Sequence, residues 1–183
     1  MIGLGMAINH SARHWRLALL AGKREGPLDS LYHLPHCFAW SNRPEHAIGW
    51  LARLHTEMRR RERWGASDAK VLALVDDAEH LLDAGGKVAR HLVRSLLEDG
   101  QAAGIHLVMA CRDASALGTL AERFPVRLQG SATQIAGRFL LHNDTHLSAV
   151  TAVTVEPSEV ERVVRQLRYD RPRLLATPMG EAA

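Results

Sequence analysis

Two adjacent carboxylates, Asp76 and Asp77, directly follow an uninterrupted apolar run at residues 71–75. A Val/Leu run of this length is typical of a strand that is covered on both faces, as a central parallel strand is. Ligands of open α/β sheets bind outside the carboxyl ends of the strands, which is where both acids would lie. There they could hold a hydrated Mg²⁺ and orient a water molecule beside a nucleotide phosphate. Alternatively, the two acids merely favour the N-terminus of the following helix.

The elements around this strand predict a largely parallel sheet. Apolar residues repeat at helical spacing over 87–99, and a second apolar run at 105–111 follows Gly104. Strand, helix and strand in this order form a βαβ unit, whose two strands are parallel. The other predicted helices are at 1–13, 44–65, 117–123 and from Ser158 onward. The other predicted strands are at 16–21, 126–128, 137–141 and 149–155, and the last two could form a hairpin across Asn143-Asp144. Residues 22–44 are predicted to be loop, and Ser41 or Asn42 is predicted to cap the second helix.

The composition bounds the class of protein. With 183 residues the chain is long enough for one full-sized domain and too short for two. A net charge of +3 is compatible with nucleic-acid binding but does not require it. Two cysteines give no disulfide framework, and the sequence shows neither a secretory signal nor a membrane-spanning apolar stretch. We therefore expect a cytoplasmic location.

Other phosphate-binding motifs do not emerge from the sequence. Gly-Lys occurs only at Gly22-Lys23 and Gly86-Lys87, and neither pair is followed by Ser or Thr as a P-loop requires. The lone G-x-G at residues 3–5 has no strand before it and lacks the third glycine of a dinucleotide fingerprint. A nicotinamide-dependent enzyme is therefore the least favoured interpretation.

Histidine, cysteine and arginine clusters give weaker hypotheses. The His10/His14 and His142/His146 pairs and the compact 33–37 segment lack third and fourth metal ligands at a recognisable spacing. Cys111 ends a strand without an obvious base partner, which argues against a nucleophile. The basic run at residues 59–63 could contact nucleic-acid phosphates, but a solvated helix face is the more favoured interpretation.

Read together, several segments resemble the motor domain of the FtsK/SpoIIIE family of DNA-translocating ATPases. Residues 70–82 resemble its Walker B strand, and residues 101–110 (QAAGIHLVMA) are very similar to its A-A-G-I-H-L-V-L-A strand. Four further segments match the family in the same order along the chain. Residues 31–36 resemble its Y…I-P-H-L loop, with Lys23 at the Lys of the preceding D-P-K, and Trp50 with residues 57–61 resembles its W…E-M-x-x-R helix. Phe124–Arg127 resembles F-P-T-R, and residues 159–164 resemble E-E-V-E-R-V-V. The resemblance spans roughly residues 4–168.

The resemblance implies a RecA-like three-layer α/β domain over residues 1–170, truncated before the P-loop, with a flexible tail over 171–183. It further implies Mg-ATP as cofactor, double-stranded DNA as partner and a hexameric ring, with no membrane segment in this chain. In that scheme Asp76 would hold Mg²⁺ through water and Asp77 would orient the attacking water.

Several positions depart from the family pattern. Asp77 replaces the family's Glu, which shortens the side chain by one methylene, and misplacement on that scale can cost on the order of 100-fold in rate. Arg112 stands at the Gln that would sense the γ-phosphate, and some family residues between Arg127 and Gly137 have no counterpart. The family's phosphate-binding loop would lie just before residue 1.

Two hypotheses follow. In one, the chain is part of a DNA translocase, completed by a P-loop from a longer precursor or a neighbouring chain. In the other, which gains support from the altered catalytic positions, it is a degenerate ATPase-like module with a structural or protein-interaction role in a secretion or DNA-transfer assembly. Without a P-loop nothing cradles the β- and γ-phosphates, so the isolated chain is expected to be inactive.

Overall fold

The structure, a computed structural model, describes residues 2–23, 26, 28–65, 69–130, 137–143, 146–152 and 155–169. Four parallel strands form the central sheet in the order β2-β1-β3-β4. They are β1 (Trp15–Ala21), β2 (Cys37–Ser41), β3 (Lys70–Asp76) and β4 (Ile105–Met109). This is the parallel sheet that the βαβ pattern predicted, and it confirms the predicted α/β fold class.

The central strands are apolar throughout because helices cover both faces of the sheet. On β3, Val71, Ala73 and Val75 face one core, whereas Leu72 and Leu74 face the other. The first core is closed by α2 (Pro44–Trp64) and α3 (Ala78–Asp99). The second is closed by α1 (Ile2–Asn9) and α4 (Pro157–Tyr169). The result is the three-layer arrangement that was predicted.

A separate three-stranded antiparallel sheet follows the second 3-10 helix (Ala114–Arg123). It consists of β5 (Val126–Gly130), β6 (Arg138–Asn143) and β7 (His146–Thr151), paired in that order. The predicted pairing of the last two strands is confirmed, although β6 and β7 begin and end at other residues than predicted. The strand predicted over 149–155 instead ends at Thr151.

Two predictions of local structure were wrong. The segment 22–44, expected to be loop, contains a 3-10 helix (Asp29–Leu31) and strand β2. Neither Ser41 nor Asn42 caps α2, because its N-cap is Arg43 and no side chain caps it, although Pro44 does occupy the first turn. Helix α3, by contrast, begins at Ala78, directly after the two acids as one interpretation of them expected, and it includes the predicted helical repeat over 87–99.

Helix α3 contains one residue with non-helical backbone angles, Gly86, at φ 50° and ψ −131°. A positive φ of this kind is readily adopted only by glycine. The helix therefore consists of a short first segment before Gly86 and a longer second segment that packs on α2.

The predicted tail over 171–183 lies outside the described residues, as does part of the 22–27 loop. Within the described part of the chain, no helix is long and apolar enough to cross a membrane.

Candidate functional site

The carboxyl ends of β1, β3 and β4 are joined by backbone hydrogen bonds around Asp76, the last residue of β3. Ala21 of β1 is in register with Asp76, and the Gly22 amide donates to the Asp76 carbonyl at 2.9 Å. On the side of β4, the Ala110 amide donates to the Val75 carbonyl, and the Ala78 amide donates to the Ala110 carbonyl. The structure thus brings Asp76 and Asp77 to the edge of the sheet where ligands of such folds bind.

Asp77 occupies the N-cap position of α3 in the left-handed region, at φ 56° and ψ 50°. Asp and Asn tolerate this region better than other non-glycine residues. Its side chain is only 2% exposed, with Lys23 Nζ 3.3 Å from Oδ2 and His80 Nδ1 3.2 Å from Oδ1. No hydrogen bond runs from this carboxylate to the helix amides as in an ordinary cap. The turn therefore directs the carboxylate toward Lys23 and His80.

These contacts determine the charge state of Asp77. Burial works to raise the pKa of the carboxyl group, but the interactions with Lys23 and His80 outweigh burial and lower the pKa below its ordinary value. Asp77 is therefore a carboxylate at neutral pH. Its negative charge is compensated inside the protein.

Asp76 has a different environment. Its side chain is half-buried, and no hydrogen bond or ion pair joins its carboxylate to another described residue. It borders a cavity of about 360 Å³, and a Cβ added to Gly26 would lie 3.1 Å from Oδ2. The cavity is otherwise lined mainly by apolar side chains, among them Ile2, Val108 and Val160.

These surroundings do not fit Mg-ATP on their own. Mg²⁺ is usually held by one or two carboxylates together with water and phosphate oxygens, and the phosphates need amides or cations of their own. Asp76 could supply the carboxylate, but the described cavity lining offers only Ser30 as a further polar side chain. The nearby cation Lys23 is paired with Asp77. The described residues around Asp76 therefore do not form a complete Mg-ATP site.

Arg112 lies beyond the end of β4 with an exposed side chain, and its backbone is held by Glu79. The Arg112 amide donates to Glu79 Oε1 at 3.1 Å, which ties the loop after β4 to the first turn of α3. Sequence reasoning assigned no role to Glu79 or His80. Their positions two and three residues after an N-cap residue were the available signal, since side chains there commonly bond near a helix start.

The other candidate clusters have the following contacts among the described residues. No group of three or more His, Cys, Asp or Glu side chains there is placed to hold a metal ion. In the basic run, Arg61 is buried and bonds to Glu57 and to the Ala103 carbonyl, and Arg59 pairs with Glu62 and Asp99. Burial, followed by the nearby Glu79 and Asp113, raises the pKa of the Cys111 thiol, which does not favour a nucleophile.

Comparison with known proteins gives structural similarity only. No protein-family model matches the chain, and no curated protein matches it. The cytoplasmic domain of the Thermomonospora curvata type VII secretion ATPase EccC superposes with a TM-score of 0.71 at 20% identity, over 92% of this chain and 26% of that one.

Two further solved structures are similar. EccC from T. curvata (ATPases 2 and 3), in complex with a signal sequence peptide, gives a TM-score of 0.69 at 17% identity, over 90% of this chain and 38% of that one. EssC from Geobacillus thermodenitrificans (ATPases 2 and 3) gives a TM-score of 0.70 at 15% identity, over 91% of this chain and 40% of that one. The chain thus spans between about a quarter and two fifths of the length of these proteins. It has the RecA-like fold of secretion-ATPase domains.

Proposed function

We propose that this chain is a degenerate ATPase-like module of the FtsK/SpoIIIE type that acts through protein contacts in a secretion or DNA-transfer assembly. The fold shared with EccC and EssC supports an ATPase-like module. The resemblance of residues 70–82 and 101–110 to the FtsK/SpoIIIE motor supports the family assignment.

One observation carries the non-hydrolytic part of the proposal. The carboxylate of Asp77, the residue that would orient the attacking water, is buried and occupied by Lys23 and His80. A general base must reach the water whose proton it accepts. In this arrangement Asp77 instead stabilises the junction between the end of β1 and the start of α3.

Nucleotide binding and hydrolysis by chain 1–183 test the proposal. We expect no Mg-ATP binding in the micromolar range by calorimetry and no phosphate release above that of buffer. Asp76→Ala, which removes the carboxylate beside the cavity, should change neither result. Micromolar Mg-ATP binding that Asp76→Ala weakens would overturn the proposal.

A second candidate is a DNA translocase motor, which is favoured by the carboxylate of Asp76, since no described residue pairs with it. In that case Asp76 would hold Mg²⁺ through water, Arg112 would occupy the nucleotide-sensing position, and the chain would act in a cytoplasmic hexameric ring on double-stranded DNA. The test joins the chain to the coding region upstream of Met1, or mixes it with a P-loop-bearing partner, and measures DNA-stimulated ATP hydrolysis. DNA-stimulated hydrolysis that is abolished by Asp76→Ala would establish this candidate. If no DNA-stimulated hydrolysis is measured, the candidate is refuted.

A further inference from the structure

Helices α2 and α3 are joined by a row of polar side chains that reaches the protein surface. Its members follow one another by three or four positions on each helix: His55, Arg59 and Glu62 on α2, and His91, Ser95 and Asp99 on α3. The guanidinium of Arg59 connects the helices, because it donates to Ser95 Oγ at 3.1 Å and lies 3.1 Å from Asp99 Oδ2. We call this row the α2–α3 seam.

The two histidines of the α2–α3 seam lie next to each other. The ring centroids of His55 and His91 are 6.1 Å apart, and the ring planes are inclined by 59°. His55 is half-buried and His91 is exposed. No hydrogen bond or ion pair joins either ring to another described residue. Since a neutral imidazole has one unprotonated ring nitrogen, each ring keeps a nitrogen that can bind a ligand.

The separation of the rings is that of two imidazoles on one metal ion. A histidine nitrogen lies about 2.0–2.1 Å from Zn²⁺, which puts the centroids of two rings on one ion roughly 5–6.5 Å apart, depending on the N–Zn–N angle. The observed 6.1 Å falls in this range. The ring of His91 is exposed, so it can rotate to direct its nitrogen at an ion without displacing core side chains.

The protonation state of His55 and the pairing of Arg59 both permit a bound cation. Burial is the largest influence on the pKa of His55, and Arg59 and His91 add to it. Together they lower this pKa below its ordinary value, although Glu62 and Asp99 act in the opposite direction. The ring is therefore neutral at pH 7, the state that a metal ion requires. The guanidinium of Arg59 is itself compensated, because Glu62 Oε2 lies 2.9 Å from Nη1 and Asp99 Oδ2 lies 3.1 Å from Nη2.

We propose that His55 and His91 form a binding site for a divalent transition-metal ion that bridges α2 and α3. The site takes ions that prefer imidazole nitrogen, such as Zn²⁺, Ni²⁺ or Cu²⁺, with water in the remaining coordination positions. It has two protein ligands, in agreement with the finding that the described residues contain no group of three. The site lies between α2 and α3, whereas the cavity beside Asp76 borders α1 and α4, so the proposal does not rest on the proposed function.

A bound ion would secure the second segment of α3 to α2. His91 belongs to the segment of α3 that follows Gly86, and His55 belongs to α2. A ligand that binds the folded state and not the unfolded one stabilises the folded state. Metal binding should therefore make local opening of the α2–α3 pair rarer.

Calorimetry with Zn²⁺ alone, at pH 7.5 in a buffer that does not bind metal, tests the site. We expect one ion to bind per chain 1–183 in the absence of nucleotide. His55→Gln and His91→Gln should each weaken this binding roughly tenfold or more, because each removes one of the two protein ligands. The matched control is His46→Gln, which removes an exposed histidine in the first turn of α2 and should leave Zn²⁺ binding unchanged. Circular dichroism confirms that the variants fold.

Two further measurements locate the ion. Cu²⁺ is paramagnetic, so at substoichiometric Cu²⁺ the amide NMR signals around residues 55 and 91 should broaden first. Hydrogen exchange over residues 87–99 should slow when Zn²⁺ binds to the unmodified chain and should not slow in His91→Gln. Because the His91 side chain is exposed, this variant keeps the test decisive even if the half-buried position 55 does not accept glutamine.

The proposal is wrong if Zn²⁺ does not bind, if His46→Gln weakens binding as much as His91→Gln does, or if the broadened signals are centred outside α2 and α3. It is also wrong if Zn²⁺ makes the chain dimerise in sedimentation experiments and His91→Gln restores the monomer, since the ion then bridges two copies. None of these outcomes involves nucleotide. Micromolar Mg-ATP binding would overturn the proposed function and leave the metal site unaffected.

Discussion

Gly22 packs directly against the backbone of Asp77. A Cβ added to Gly22 would lie 2.2 Å from the Asp77 carbonyl oxygen and 3.1 Å from the Leu81 amide nitrogen. Both atoms belong to the backbone at the start of α3, so they cannot move aside as the end of a flexible side chain can. This close approach is what allows Lys23, the next residue, to reach the Asp77 carboxylate.

Gly22→Ala should therefore lower the free energy of unfolding by roughly 1–3 kcal/mol, the usual cost of forcing an extra methyl group into a packed site. Urea denaturation measures the change. The matched control is Gly49→Ala on the exposed side of α2, where nothing lies within 4 Å of an added Cβ. That variant should gain about 0.5–1 kcal/mol from the higher helix propensity of alanine. Equal stability of Gly22→Ala and the unmodified chain would contradict the close packing.

The stability contributed by Asp77 should depend on pH below the ordinary range of aspartate. Because the pKa of Asp77 is lowered in the folded protein, its contribution is fully present above the unfolded value of about 3.9. This contribution to stability is lost as the pH falls through the lower pKa that Asp77 has in the folded protein. We expect Asp77→Asn to be less stable than the unmodified chain at pH 5, and this difference in unfolding free energy to shrink as the pH falls below about 3.9.

Asparagine is the suitable replacement at position 77 because it tolerates the left-handed backbone while removing the charge. Asp77→Ala should be less stable than Asp77→Asn at every pH, since alanine adds backbone strain. A difference between the unmodified chain and Asp77→Asn that did not change with pH would refute the ionic role of Asp77.

Glu57 should contribute to stability down to a much lower pH. The hydrogen bond from Arg60 is the largest influence on this carboxyl group; burial opposes it and Arg61 adds to it, and together they lower the pKa of Glu57 to about 2. Glu57→Gln should cost about 1–2 kcal/mol at neutral pH, as expected for charge-assisted hydrogen bonds. The cost should disappear as the pH falls from about 4.3 toward 2, where the unfolded and then the folded glutamate become protonated.

Acid titration monitored by urea denaturation tests this expectation. Glu62→Gln, which disrupts only the exposed pair with Arg59, serves as the control and should leave stability unchanged within error. Equal effects of the two substitutions would show that the buried Arg61 does not depend on Glu57.

The thiol of Cys37 should react slowly with alkylating and disulfide reagents. Burial raises its pKa to about 11, although the hydrogen bond to the Ala39 carbonyl opposes this shift. At pH 8 the thiolate fraction is then on the order of 1 in 1,000, compared with roughly a quarter for a free thiol. Reaction at Cys37 should accelerate about 100-fold in urea. Fast labelling of this residue in the folded chain would contradict the burial.

The buried parts of the fold could be predicted from sequence because their apolar runs are continuous. The strand before Asp76 is covered on both faces, and the strand after Gly104 has a similar apolar run although it is an edge strand with mostly half-buried side chains. Strand β2 was missed because it is a five-residue edge strand between turn-forming segments. A helix directly after Asp77 was one interpretation of the two acids, but the sequence did not show that this helix continues through Gly85 and Gly86, since it resumes after a single non-helical residue.

The candidate site could be predicted in position but not in contacts. The location of Asp76 and Asp77 follows from the rule that strand ends converge at one sheet edge. The pairing of Asp77 with Lys23 depends on the register of β1 with β3 and on the left-handed turn at Asp77. Neither the strand register nor the turn produces a periodic pattern in the sequence. A lysine and an aspartate that are far apart in the chain therefore give no sign that they form a pair.

The non-helical angles at Gly86 divide the layer behind the sheet into two mechanical parts. The segment before Gly86 carries Leu81 and Leu82 and is anchored to the strand end, whereas the segment after it carries Leu92 and Leu96 and is anchored to α2. An α-helix transmits displacement along its axis through its continuous hydrogen bonds. At Gly86 the regular helical path is interrupted. A displacement at the carboxyl end of β3 is therefore not transmitted along one continuous α-helix to the segment that carries Leu92 and Leu96.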